Sequence, residues 1–150
     1  MATSVEAQET QAAVQKYGTF VEEVLKPQLQ ASLAQRDALT TEIREYQELL
    51  EFLTAQIERQ QTEPTAKLQL LMDLGQRFQV RAKINDPTRI IVDIGLNFHV
   101  EMTLDEAQTF VQSHLTHLSD KRRTWQDKAR QISDHVNLVL DAIQQLAALQ

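Results

Sequence analysis

The chain has 150 residues, a formal net charge of -6 and a pI near 5.2, a balance that argues against a duplex nucleic-acid binder, which normally carries a basic face. It contains no cysteine, which excludes disulfides, a thiolate zinc site and a thiol nucleophile and suits a reducing cytosolic or nuclear setting. Three Gly, three Pro and 5% aromatic residues are fewer turn formers and large core side chains than a compact globular domain uses, so long helices burying a narrow seam are expected.

At the N-terminus, Met1-Ala2-Thr3-Ser4-Val5-Glu6 lacks the basic start and apolar stretch of a signal peptide. Residues 1–12 are expected to be a flexible tail ahead of a single domain at 13–150. No apolar run approaches the roughly 20 residues that span a bilayer.

The first helix is expected over 13–63. From Leu25 an alternating 4,3 spacing runs through Leu29, Ser32, Arg36, Leu39, Ile43, Tyr46, Leu50, Leu53, Ile57 and Gln60, the pattern of a coiled-coil seam. Upstream, Val14, Tyr17, Val21 and Val24 keep a similar spacing. Pro27 lies between the two stretches and has no N–H to donate, so a kink or frayed turn is expected there. Uninterrupted, Gln11 to Thr62 would extend roughly 78 Å.

Beyond this helix the period changes to 2, and residues 67–102 carry an internal repeat. Met72-Asp73-Leu74-Gly75-Gln76-Arg77-Phe78-Gln79-Val80 parallels Val92-Asp93-Ile94-Gly95-Leu96-Asn97-Phe98-His99-Val100, twenty residues later. Each copy reads as strand, Gly-led turn, strand, with Gly at the first central position of a type II′ hairpin turn. Asn85-Asp86-Pro87-Thr88 forms a turn between the copies. Strands are expected near 68–74, 77–84, 89–94 and 97–102. Two hairpins alone are marginal, because their edges leave unpaired backbone groups. Strand faces carrying Leu68, Leu70, Phe78, Val80, Ile90, Val92, Phe98 and Val100 need more cover than one pair of helices supplies, which points to assembly with other subunits.

The second helix, expected over 104–149, opens on a capping box formed by Thr103 and Glu106. Its seam runs Val111, Leu115, Leu118, Arg122, Trp125, Ala129, Ile132, Val136, Val139, Ile143, Leu146. The predicted fold is therefore α+β, a long antiparallel two-helix coiled coil with two consecutive β-hairpins inserted between the helices.

This order of elements, with Asp86-Pro87 before Arg89-Ile90-Ile91-Val92-Asp93-Ile94-Gly95-Leu96-Asn97-Phe98-His99-Val100-Glu101, resembles the α class of prefoldin subunits, and within it the prefoldin-like branch. Tyr17-x-Thr19-Phe20-Val21, Val24-Leu25, Arg36-Asp37, Phe78-x-Val80 and Leu104-x-Glu106-Ala107 extend the match. The resemblance implies a non-catalytic subunit of a hetero-oligomeric co-chaperone, a hexamer of two α-type and four β-type chains whose hairpins form a double β-barrel platform. On that basis Leu70, Phe78, Val80, Ile90, Val92, Phe98 and Val100 would serve oligomerisation. Unfolded or unassembled clients would meet the helix tips at Val14, Tyr17, Val21, Val24, Val139, Ile143, Leu146 and Leu149. The resemblance also implies cytoplasmic or nuclear residence and a link to transcriptional regulation. The rival reading is a coiled-coil scaffold or transcriptional co-regulator that binds defined folded partners.

Other features carry less. His114 and His117 sit three apart on one helix without a completing ligand set, and His99 and His135 read as surface residues. Lys121, Arg122, Arg123, Lys128 and Arg130 are the only basic cluster and are expected to spread around the helix rather than form a nucleic-acid stripe. No Ser–His–Asp order or phosphate loop emerges, so no catalytic residue, metal, cofactor or small-molecule substrate is expected. Neither a membrane nor direct nucleic acid is an expected partner.

Overall fold

The computed structural model describes residues 2–149. Helix α1 (Ala2–Phe20) passes through a π-helical turn (Val21–Leu25) into α2 (Lys26–Thr62). Strands β1 (Leu68–Asp73), β2 (Gln79–Ile84), β3 (Arg89–Gly95) and β4 (Phe98–Thr103) follow, and helix α3 (Leu104–Ala148) closes the chain. Helix begins at Ala2 where residues 1–12 were expected to form a flexible tail; Met1 lies outside the described residues. The chain divides into two compact units, one holding the residues up to Glu42 and from Leu118 onward, the other Ile43–His117.

In the first unit, Val21, Leu25, Leu39, Leu118 and Ala129 are buried, together with Ser32. Phe20 meets His135 ring to ring at 6.1 Å, and the Arg36 guanidinium donates to Gln126 Oε1 at 3.0 Å. Residues later in α2 thus meet residues earlier in α3, an antiparallel pairing. A small side chain at Ser32 and a long one at Arg36 replace apolar residues in the seam, so this stretch is partly polar.

The π-turn has a cause legible in the spacing. The inward residues run Val14, Gly18, Val21, Leu25, Leu29, Ser32, Arg36. Val21–Leu25–Leu29 are two consecutive four-residue steps, one residue more than a 4,3 alternation allows. A π-turn absorbs one extra residue without breaking the helix: the Lys26 N–H donates to the Val21 carbonyl, five residues back. Pro27 could not have donated to the Glu23 carbonyl in any case. The expected kink or frayed turn is therefore a widened turn. It places Val21 and Leu25 inside and leaves Tyr17 and Val24 exposed.

Helix α2 ends two residues before Pro64, consistent with the bias against helical backbone at the residue preceding a proline. In the second unit, Leu53 of α2, Val92 of β3 and Leu104, Ala107 and Val111 of α3 form the core. Tyr46, Leu50, Ile57, Ile90, Met102, Phe110 and Leu115 flank it. Burying a Leu or Val there stabilises the fold by about 1.5–3 kcal/mol each. Gln108 Nε2 donates to Thr54 Oγ1 at 3.1 Å while Tyr46, earlier in α2, meets His114, later in α3, at 4.5 Å, so the helices are antiparallel here too. The capping box is formed: the Glu106 N–H donates to Thr103 Oγ1 at 3.3 Å, and the Thr103 N–H donates to Glu106 Oε2 at 3.0 Å.

The strands pair as two separate antiparallel hairpins, β1 with β2 and β3 with β4. Their turns differ from the expected type II′. The central residues are Gln76-Arg77 (φ 50° and 68°) and Leu96-Asn97 (φ 51° and 68°), positive at both positions as in a type I′ turn. Gly75 and Gly95 precede them at φ 86° and 100°, a backbone region costly for other residues. In each copy an aspartate fixes that glycine: Asp73 Oδ1 accepts from the Gly75 N–H at 2.8 Å, and Asp93 Oδ1 from the Gly95 N–H at 2.9 Å.

Candidate assembly surface

The two hairpins have the same local chemistry but unequal cover. In β3–β4, Ile90 pairs with Met102 and Val92 with Val100 across the ladder. This face turns Val92 (6% exposed) into the core, with Ile90 and Met102 packed against it. In β1–β2, Leu68 pairs with Ile84, Leu70 with Ala82 and Met72 with Val80. Leu68 is buried at the strand's start, while Leu70, Ala82 and Ile84 are half-covered.

Of the seven residues assigned to oligomerisation, Phe78 (69% exposed), Phe98 (63%), Val80 and Val100 stand open. Leu70 and Ile90 are half-buried, and Val92 is taken up by the chain's own core. The structure adds exposed apolar residues that the alternation did not single out: Leu71 and Met72 on β1, Leu74 before the first turn, Ile91 and Ile94 on β3, and Leu96 (92% exposed) in the second turn. Leu71 and Ile91 lie on the opposite strand face from Met72 and Val92, so both faces of each hairpin carry apolar side chains. Because each sheet has two strands, every strand also has one ladder edge with no strand partner. Open edges combined with exposed Phe, Leu and Ile mark a surface fitted for strand pairing and apolar packing.

The turn between the hairpins is held by Asp86, whose Oδ1 accepts from the Thr88 N–H at 3.1 Å and from the Thr88 hydroxyl. Those hydrogen bonds, first the hydroxyl and then the amide, hold the Asp86 carboxyl below its usual value. Arg89 Nη1 lies 3.7 Å from Glu101 Oε2 across the β3–β4 ladder.

The residues assigned to the helix tips are differently placed. Val21 is buried, Val14, Val139, Ile143 and Leu146 are half-buried, and Tyr17, Val24 and Leu149 are exposed. Phe20, Leu138 and Leu140 are exposed as well. His114 is drawn into aromatic packing, stacked on Phe110 at 5.9 Å and edge-on to Tyr46 at 4.5 Å. Among the described residues no group of three or more His, Asp or Glu could hold a metal, and no helix is long and apolar enough to cross a membrane.

Comparison with known proteins accounts for this architecture. Residues 25–149 match the prefoldin family model, described as prefoldin subunit. The Protein UXT homolog of Nematostella vectensis is 34% identical over 143 residues, covering 94% of this chain and 87% of that one. Protein UXT of Homo sapiens is 30% identical, covering 91% and 85%. A filamentous prefoldin from Methanocaldococcus jannaschii, solved by cryo-EM, is 18% identical at a TM-score of 0.49, covering 78% of this chain and 98% of that one. The chain belongs to the prefoldin subunit family and, within it, groups with the UXT proteins.

Proposed function

We propose that the chain is a non-catalytic subunit of a prefoldin-like hetero-oligomer, joined to α- and β-type subunits through its hairpins in a hexamer. The observation that supports this most directly is the pair of unjoined two-stranded sheets, whose open edges and largely exposed Phe78, Phe98 and Leu71 are left uncovered by the described residues. Apolar side chains near the helix ends, including Tyr17, Val24 and Leu149, would hold unfolded or unassembled proteins. Each such contact is weak, and several subunits acting together raise the effective affinity. The residence in keeping with this role is cytoplasmic or nuclear.

Native mass spectrometry of complexes purified through this chain tests the assembly. The expected result is a defined hetero-oligomer that disappears in a Phe78→Ser, Phe98→Ser variant whose helical circular dichroism is retained. A complex of unchanged mass in that variant would overturn the hairpin assignment. Suppression of aggregation of a denatured enzyme by the intact complex supports the co-chaperone reading. One folded partner held tightly, with no effect on denatured protein, would make the chain a scaffold or transcriptional co-regulator instead.

A further inference from the structure

The basic cluster spreads around α3 as expected, with Lys128 turned over the Trp125 ring, but three of its arginines share a face with polar neighbours. Ser119, Arg122, Arg123, Gln126, Asp127 and Arg130 fall at steps of 3, 1, 3, 1 and 3, which places them on one helical face. With Arg36 and Thr40 of α2 they line a cleft of about 400 Å³ in the first unit. Four arginines and one carboxylate give the lining a formal charge of 4 − 1 = +3. The whole chain stands at -6, so the remainder carries -6 − 3 = -9.

The three guanidinium groups on α3 are available. Arg123 and Arg130 reach Asp120 and Asp127 only at 3.7 Å, with their side chains 74% and 67% exposed, and such surface pairs contribute little. Arg122 has no hydrogen-bond or ion-pair partner among the described residues, although it occupies a half-buried seam position. Arg36 is already engaged, by Asp37 at 2.7 Å and Gln126 at 3.0 Å, and forms a fixed wall opposite.

We infer that this cleft binds an acidic helical segment of a partner protein, one presenting carboxylates along a single face. Two arguments select that ligand. Arg123 and Arg130 are seven residues apart, roughly 10 Å along the axis, which matches Glu or Asp at i and i+7 on a helix laid alongside. Guanidinium forks also suit carboxylates held in place. An extended polyanion such as a nucleic acid would run past the cleft onto a chain that is acidic elsewhere, whereas a short acidic face can engage the arginines alone.

The test uses the full-length chain and a fluorescein-labelled helical peptide of about 20 residues with Glu at i, i+3, i+4 and i+7, read by anisotropy. A scrambled peptide of the same composition and a single-stranded oligonucleotide of similar length serve as comparators. The expected result is saturable binding that weakens as salt rises. Affinity should fall at least tenfold for the scrambled peptide and for Arg123→Glu with Arg130→Glu, two exposed positions whose exchange leaves the fold intact. Arg122→Gln should weaken binding severalfold without altering circular dichroism. Absence of binding, equal affinity for the scrambled peptide, insensitivity to the charge reversals, or tighter binding of the oligonucleotide would each overturn the inference.

Discussion

The smallest units that decide this structure are two Asp-x-Gly triplets. Each aspartate caps its glycine's N–H, and each glycine takes a positive φ that leads into a type I′ turn. Space around Gly95 is open, so Gly95→Ala meets no clash and its cost is torsional, about 1–2 kcal/mol. Thermal denaturation against wild type, with Gly18→Ala as a helical control, measures it. The triplets were legible because a spaced repeat exposes its own invariants, but the turn type was not. Gln76, Arg77 and Leu96 are residue types that do not advertise positive φ, and only Asn97 does. Asp86 offers a pH test. Its carboxyl is held below the ordinary aspartate value by Thr88, so its stabilising hydrogen bonds are fully present above that value and are lost as pH falls through the lowered one. The Thr88 amide resonance should therefore stay constant down to pH ~4 and move only below it. Asp86→Asn should abolish that step.

Among the elements, α3 was the easiest to read and the start of the first helix the hardest. A capping box at Thr103 and a seam interrupted only at Arg122 define α3. Ahead of Pro27 the seam alternates by a different phase, and Tyr17 and Val24 fit a heptad on paper while the widened turn rotates them outward. Sequence spacing alone cannot say where an extra residue is absorbed, since a π-turn, a kink or a frayed end would each restore the seam. Pro27→Ala separates the causes. A proline forced into a regular helix costs about 3 kcal/mol, but here the missing hydrogen bond coincides with the widened turn. The substitution should gain about 1 kcal/mol or less, measured by chemical denaturation, and the π-turn should persist. Combining it with deletion of Glu23 shortens the Val21-to-Leu29 interval from eight residues to seven and should convert the widened turn to regular helix, seen as amide shifts confined to residues 18–30. The hairpins posed the opposite difficulty. Alternation was plain in both copies, but which copy α2 and α3 would cover depends on tertiary placement that a repeat conceals. Val92 and Met72 hold the same place in the repeat, yet one is core and the other open.

For the molecule as a whole, family membership and the order helix, two hairpins, helix were both legible, because the repeat is specific where heptads are generic. The proposed client-binding role rests on exposed Leu149 together with Ile143 and Leu146, which are half-buried along the seam. Ile143, Leu146 and Leu149 replaced together by Ser should weaken capture of a denatured protein severalfold while the hetero-oligomer keeps its mass, checked by aggregation assays beside native mass spectrometry. Unchanged capture would overturn the tip assignment and leave Ile143 and Leu146 to seam packing alone. The exposed first hairpin has a further consequence for the economics of production. Leu71, Leu74 and Phe78 are open when the chain is by itself, which makes the assembly surface also a marker of being unassembled. A copy synthesised beyond its partners' supply displays the features that aggregation and proteolytic surveillance act on. Its abundance should therefore track that of its partners, and silencing them should shorten its half-life without any change in its own message.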